Sequence, residues 1–453
     1  MSLGARRRLG RGWACLAALF GLRASSVAAD DAEHERVCAA AGWLRAWNAT
    51  QHDMLEGRTE LLAVIVRPHT LGGLGNRLRA INAGFFLAVT SGRVLVLDYG
   101  PFAPRSEVEY LRPRIVQWDA LAWPEEAAAA LRSRREVSPT PRRLHDVQGA
   151  LASADHVVLS RWNVDPSAAL LGRAAGPWRA AVRNAGLAAV PSARFAACAA
   201  RALFSPSAVL RSALRDARAA AGAGARFDAA IHVRTNLEFE RDYISARLAK
   251  APRDACATFD CWRAVAVNLV ACAAALQPTA APITVFFAAD DGALVEAVLR
   301  DVVQAHGGRV AAVALPARYR THSGLTRAPK QVETDRGQAA FAAAGANGTL
   351  LPLVELLLVS SAHALVGTAG SSFSAQAVAL GGFAALDASR DAQPYFPPHG
   401  LRPAALFRTA WLKGAARGDT TALELPPDAE TAALVCAAFH DRPPPPPEPS
   451  ETP

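Results

Sequence analysis

"ELLAVIVRPHTLGGLGNRLRAINAGFFLAVTSGRVLVLDY", residues 60–99, carries the pattern that decides the fold. Its first part, "ELLAVIVRP" (60–68), is an apolar run closed by a proline, which reads as a buried strand. A loop with Gly72, Gly73 and Gly75 follows. "NRLRAINAGFFLAVTSG" then places apolar residues at helical spacing and stops at Gly92. "RVLVLDY" (93–99) is a second short apolar run. Two nearly continuous apolar strands joined through a helix belong to a parallel sheet covered by helices.

The same alternation extends outward. Residues 31–58 have mixed helical spacing and read as a stem or cap. "DHVVLSRW" (155–162) is a further strand. Residues 191–226 are rich in Ala and Arg and helical, ending in "AAAGAGAR", where an inter-domain junction is expected. The second half restarts with strands at "FDAAIHVRT" (227–235), "ITVFFAADD" (283–291), "GRVAAVALP" (308–316) and "HALVGTAG" (363–370). Helices are expected over "CWRAVAVNLVACAAAL" (261–276), "LPLVELLLVSSA" (351–362) and the later part of "SSFSAQAVALGG" (371–382). The polyproline tail at 443–453 reads as disordered. The expected architecture is two doubly wound α/β domains, 59–220 and 221–442, with a cleft between them. Open parallel sheets hold ligands at the carboxyl ends of their strands.

Composition narrows the class. The 453 residues suffice for two cores, and 51% hydrophobic with 20% charged residues describes a globular chain. The net charge of +9 is almost all arginine, with lysine only at Lys250, Lys330 and Lys413. No basic stripe interleaved with aromatics is present, so nucleic acid is not an expected partner. Residues 1–29 carry arginines from Arg6 to Arg11, an apolar stretch from Trp13 to Leu22, and small residues before Asp30, the layout of a secretory signal peptide. Membrane contact is expected only if that stretch stays as an uncleaved anchor. Without Cys15, six of the seven cysteines remain (Cys38, Cys198, Cys256, Cys261, Cys272 and Cys436), and an even count in an oxidising lumen suggests disulfides of undetermined pairing. None has zinc spacing, so no metal is expected. Sequons stand at Asn48 and Asn347.

Four loops at strand ends carry the chemistry. In the first, Gly72, Gly73 and Gly75 let the backbone turn and approach a ligand, Asn76 adds an amide, and Arg77 and Arg79 could add charge. A dinucleotide fingerprint would need a third glycine where Leu78 stands. In the second, His232 and Arg234 alternate on one face at a strand end, where an arginine can grip a phosphate and stabilise a diphosphate leaving group. In the third, one of Asp290 and Asp291 can cap the next helix, leaving the other for a ribose or base. In the fourth, Ser371 and Ser372 at a helix start could cradle a phosphate, with Phe373 covering a base or sugar. The pattern is not G-x-S-x-G, so a hydrolase nucleophile is not indicated.

In this order, "GGLGNRLRA", "HVR", "FFAADD" and "ELLLVSSAHALVGTAGSSFS" resemble the GDP-fucose fucosyltransferases, the group of protein O-fucosyltransferases and α1,2- and α1,6-fucosyltransferases. The resemblance spans residues 60–390 as scattered motifs. It implies a GT-B fold with an acceptor side in the N-terminal domain and the GDP-sugar in the C-terminal one. It also implies inversion at fucose C1 without a cofactor or essential metal, GDP-fucose as donor, and a glycan or glycoprotein acceptor in the Golgi or endoplasmic reticulum. On that likeness Arg234 and Asn76 are the catalytic candidates, and His232, Asp290, Asp291, Ser371, Ser372 and Phe373 hold the donor. Gly72, Gly73, Gly75 and Arg77 line the cleft. Thr235 stands where the α1,6 enzymes carry a second arginine, and Asn236 and Leu237 where the α1,2 enzymes favour Gly-Asp, which leaves the linkage open. Candidates for the general base are Asp98, Glu238, Glu240 and Asp242. Another nucleotide-sugar transferase, or a non-catalytic lumenal binding protein on the same fold, are the alternative readings.

Overall fold

The computed structural model describes residues 41–68, 73–99, 107–133, 136–138, 144–160, 166–171, 176–190, 192–221, 227–234, 283–306, 308, 310–315, 347–362, 364–367, 371–381, 384–385 and 409–412, and the single positions 38, 259, 263, 266, 267 and 270. The signal-like N-terminus, Gly72, Glu238, Glu240, Asp242, the other four mature cysteines and the proline tail lie outside these residues.

The expected apolar runs form two sheets. The first has the order β2-β1-β5-β4, from β1 (Ala63–Arg67), β2 (Val94–Leu97), β4 (Glu136–Val137) and β5 (His156–Ser160), all parallel. A short antiparallel pair, β3 (Leu111–Arg112) with β6 (Ser205–Pro206), lies apart from it. The second sheet has the order β11-β12-β10-β7-β8-β9. Its parallel part comprises β7 (Ala229–Val233), β8 (Ile283–Ala289), β9 (Val310–Val313) and β10 (Ala364–Gly367). β11 (Ala384–Ala385) and β12 (Thr409–Leu412) add an antiparallel edge that the apolar pattern did not foretell. The chain runs outward from β7 through β8 to β9, then returns to place β10 on the other side of β7. The β10/β7 boundary is therefore a topological switch point.

Helix α1 (Gly42–Leu55) buries Trp43, Leu44, Trp47, Gln51, Met54 and Leu55. Its tryptophans reach Phe85 and Phe195, with ring centroids of Trp47–Phe85 at 5.0 Å and Trp43–Phe195 at 5.1 Å. The Trp47 indole donates to the Arg93 carbonyl at 2.9 Å, so its one polar atom is satisfied. A Cys38–Cys198 disulfide joins the start of this segment to a later helix, α3 below. The first sequon lies within α1 rather than in a loop: Asn48 Oδ1 is buried, and the Thr50 hydroxyl donates to the Ala46 carbonyl.

The helix α2 (Leu74–Ser91) is buried on nearly every side. A helix buried all round, here including Arg77, Arg79 and Asn82, is sandwiched between other elements. One face lies on β1 and β2, and the other meets α3 (Ser192–Leu203) and, from the second half, a helix spanning Ser372–Gly381. Two glycines make both approaches feasible. A Cβ on Gly84 would stand 2.1 Å from Val66 Cγ2 of β1, and one on Gly75 would stand 2.5 Å from both Phe373 N and Ser372 C. At about 100° per residue, these glycines lie about 180° apart around the helix. Asn82, about 20° from the Gly75 direction, donates from Nδ2 to Gln376 Oε1 at 2.9 Å.

The second half adds α4 (Ala208–Ala220), capped by the Ser207 side chain, α5 (Gly292–His306), α6 (Asn347–Ser361) and α7 (Ser372–Gly381). Helix α6 carries the apolar run Leu350–Val359, interrupted only by Glu355 within the helix body, and packs on β7, β8, α4 and α7. One continuous core links both halves, from Leu74 and Phe85 to Phe227, Val354 and Ala377. Since α2 follows β1 and α7 follows β10, the contact at Gly75 turns the carboxyl ends of both sheets toward one region. Among the described residues, no helix is long and apolar enough to cross a membrane.

Gly75→Ala places a methyl group against rigid backbone. We expect a net loss of about 1–3 kcal/mol in urea unfolding, despite alanine's better helix propensity. Unchanged or increased stability would show that the α2–α7 approach is not constrained there.

Candidate functional site

The switch point brings together three strand ends. β7 ends at Val233, paired with Ala289 of β8, so Arg234 and Asp290 leave the two strands side by side. The Arg234 guanidinium Nε is 3.4 Å from Asp290 Oδ2, with side-chain exposures of 28% and 6%. The arginine sits at the mouth and the carboxylate beneath it.

His232, two residues earlier on the same face, is buried. Its Nδ1 lies 2.8 Å from the Ser374 hydroxyl, and the Phe373 ring stacks on the imidazole at 4.6 Å with a 24° tilt. Burial pushes its pKa down to about 3, against the nearby Asp290 charge, which raises it, and with Arg234, which lowers it further. The imidazole is neutral at physiological pH and serves as a fixed dipole. Ser374 is itself buried, so its hydroxyl holds the ring and is not an exposed nucleophile.

The two aspartates divide their tasks. Asp291 Oδ1 accepts from the amides of Ala293 and Leu294 at 2.9 and 3.1 Å, capping α5. Asp290 is the one that faces the site. Ser371 likewise turns inward: its hydroxyl accepts from the Ser374 amide at 3.4 Å and its carbonyl from Ala375. The Phe373 amide nitrogen is packed against Gly75. The expected phosphate cradle of Ser371, Ser372 and helix amides is therefore partly consumed by capping and packing, leaving Ser372 half-buried at the rim. Phe373 braces His232 rather than standing open to a base.

The glycine loop also differs from expectation. Gly73 is the N-cap of α2 and Gly75 is its contact with α7. Asn76, half-buried in the first turn, is the loop residue that stays near the junction without being enclosed. Arg77 does not line the site. It points about 200° away from Gly75 around α2 and forms a fully buried ion pair with Glu107. The Tyr99 phenol donates to the same carboxylate at 2.7 Å, and burial raises its pKa well above the usual phenol value. Arg79 is buried as well. Asp98, at the end of β2, is held by Arg67 at 2.7 Å, and Arg67 also reaches Glu136 at 3.2 Å.

Sequence reasoning missed Ser374, Glu107 and the Asn82–Gln376 bond. Ser374 stands inside the quoted serine motif, three residues after the capping Ser371, but its bond to His232 spans 142 residues and leaves no local pattern. Among the described residues, no group of three or more His, Cys, Asp or Glu side chains could hold a metal.

Neither a protein-family model nor a curated protein matches the chain. Among solved structures it is similar to a mutant of Arabidopsis thaliana FUT1 in complex with GDP, at 14% identity over 75% of this chain and 76% of that one, with a TM-score of 0.44. It is also similar to NodZ α1,6-fucosyltransferase soaked with GDP-fucose, at 15% identity over 71% and 93%, TM-score 0.38. A further similar structure is the fucosyltransferase NodZ from Bradyrhizobium, at 14% identity over 70% and 92%, TM-score 0.35.

The depressed His232 pKa has a thermodynamic consequence. Between the ordinary value near 6.5 and about 3 the unfolded chain binds a proton that the folded chain does not. Stability is therefore unaffected by this group above pH 6.5 and falls as pH drops through that window, by about 1.4 kcal/mol per pH unit. Denaturant unfolding from pH 7 to pH 4 should show a shallower loss in His232→Gln than in the wild type. Equal slopes would contradict a buried neutral imidazole.

Proposed function

We propose that this chain is an inverting, metal-independent glycosyltransferase that moves fucose from GDP-fucose to a hydroxyl of a glycan or glycoprotein in the secretory lumen. The carrying observation is Arg234, part-exposed at the switch point of a parallel sheet and fixed beside Asp290 and His232 where the two sheets' carboxyl ends converge. That is where an α/β sheet holds an anionic ligand. The choice of fucose rests on the order of the sequence motifs. The lumenal setting rests on the signal-like N-terminus and accords with the Cys38–Cys198 disulfide.

In this reading the acceptor oxygen attacks fucose C1 from the face opposite the diphosphate. The bond from C1 to the phosphate oxygen breaks, and its electron pair leaves with GDP. Arg234 stabilises that growing charge in a partly desolvated mouth, as a cation can without a metal. The neutral His232 offers a dipole beside it, oriented by Ser374 and Phe373. Asn76 and Ser372 flank the route into the junction. The acceptor's proton passes to a carboxylate, for which Asp98 is the candidate within the described residues. Domain assignments follow: the first sheet, within 59–220, faces the acceptor, and the second, within 221–442, holds the nucleotide.

The test is a thermal-shift titration of the purified protein with GDP, UDP, CMP and NAD. At a hundredfold excess over Kd, a ligand that binds the folded state alone adds about 2.7 kcal/mol of stability. GDP should raise Tm and the others should not, and Arg234→Ala should fold yet lose most of the GDP effect. A rise with UDP or NAD instead would replace the donor assignment. No rise with any nucleotide would favour a non-catalytic binding protein.

A further inference from the structure

We propose that the arginine face of α4 is a docking surface for an acidic glycan, a chain carrying sulfate or carboxylate groups. Its service as a track for the acceptor rests on the transferase reading above; binding to the surface does not.

The sequence of α4, "AVLRSALRDARAA", repeats arginine at i, i+4 and i+7. At about 100° and 1.5 Å per residue, Arg211, Arg215 and Arg218 fall within about 60° of one another and span about 10 Å along the helix. Leu210 and Ala217 seat α4 from another side. Arg211 and Arg215 are exposed and Arg218 is half-buried. Among the described residues none of the three forms an ion pair. Arg211 Nη1 donates to the Pro206 carbonyl at 2.6 Å, and Arg215 Nη2 to the Ser212 hydroxyl at 3.4 Å. Arg218 Nε is enclosed without an acceptor. Pro206 pairs across β3–β6 with Leu111, which brings the exposed Arg112 beside the same face. The nearby acids do not cancel this charge. Glu109 is bonded to the Tyr110 phenol, and Asp216 lies about 100° around the helix from Arg215. Like charges at i and i+4 repel and weaken a helix. An anion laid along the arc relieves that repulsion and supplies acceptors to the guanidinium groups.

The chemistry of the face selects the partner. Guanidinium groups take sulfate and carboxylate through paired N–H donors. The arc presents no aromatic side chain on which the bases of a nucleic acid could stack. It also lacks a large apolar side chain to enter a bilayer. Among the described residues such exposed side chains are Leu121 and Val209, and Val209 lies at least about 120° around α4 from each arginine. The short helix Glu107–Tyr110 joins this face to the candidate site. Glu107 holds Arg77, the neighbour of Asn76, and the Tyr110 carbonyl accepts from the amide of Ser207, the cap of α4, at 2.8 Å. A glycan held at the start of α4 is thus two contacts from the rim, on the side assigned to the acceptor.

The experiment measures binding of a labelled chondroitin sulfate decasaccharide to the full chain by fluorescence anisotropy. The wild type should bind it, more weakly as salt is raised, and should not bind an uncharged dextran of similar length. Arg211→Ala with Arg215→Ala should weaken binding by at least about tenfold, since each removes a charge-assisted hydrogen bond. Both positions are exposed and alanine favours a helix, so the double variant should fold. A control, Arg45→Ala with Arg183→Ala, removes the same charge from exposed positions on other helices and should bind as the wild type does. No binding by the wild type, or equal binding by the α4 variant, would overturn the proposal. An equal loss in the control would overturn it too, by tracing the affinity to net charge. Tighter binding to phosphatidylserine vesicles than to the decasaccharide would replace the glycan with a membrane surface. Decasaccharide binding lost in the α4 variant of a protein whose Tm no nucleotide raises would uphold the surface and overturn the transferase reading.

Discussion

The contact between α2 and α7 at Gly75 is the constraint on which the rest depends. Helix α2 has no solvent face: Gly84 seats it on β1, and Gly75 admits α7 on the opposite side. A side chain at either position would have to displace packed atoms, and close-packed interiors yield little. The buried Asn82–Gln376 bond fixes the register of this contact along the helices. Through it, the two sheets share one core, and their carboxyl ends open toward one another.

The site inherits its order from that contact. Helix α7 carries Phe373 and Ser374, which clamp His232, and His232 lies on the same strand face as Arg234. Positioning thus passes from helix packing to an aromatic stack, then to a neutral imidazole, and finally to the cation at the mouth. The buried Arg77–Glu107–Tyr99 cluster supports α2 from its other side. Such pairs are weak sources of net stability, but losing one partner strands a buried charge, so the cluster strongly resists change. The two arginines serve opposite ends: Arg77 is consumed by structure, and Arg234 is partly exposed at the strand end.

Much of this was legible in the chain. β1, β2, β5 and β7 to β10 each stand where an apolar run predicted a strand, because strands buried on both faces leave uninterrupted hydrophobic stretches. The β12 edge was not legible, since edge pairing depends on distant partners. Four strand-end loops were recognised as the chemical ones; those at β7, β8 and β10 meet, and the first touches the β10 loop through Gly75. The error at Arg77 has a clear cause. Treated as a loop residue, it shares a side with Gly75. Once the helix starts at Leu74, two residues turn it about 200° away. Similarly, sequence left Asp290 and Asp291 interchangeable, and the α5 cap separates them. Ser374 and Glu107 acquire their roles from partners 142 and 30 residues away, distances at which local pattern carries no information.

The most direct test of the central claim is a crystal structure of the protein grown with GDP. The account predicts a diphosphate within hydrogen-bond distance of Arg234 at the β10/β7 switch point, with His232 still stacked on Phe373 and bonded to Ser374. Nucleotide bound away from that strand end, or bound there with Arg234 still turned onto Asp290 and no contact to phosphate, would contradict it.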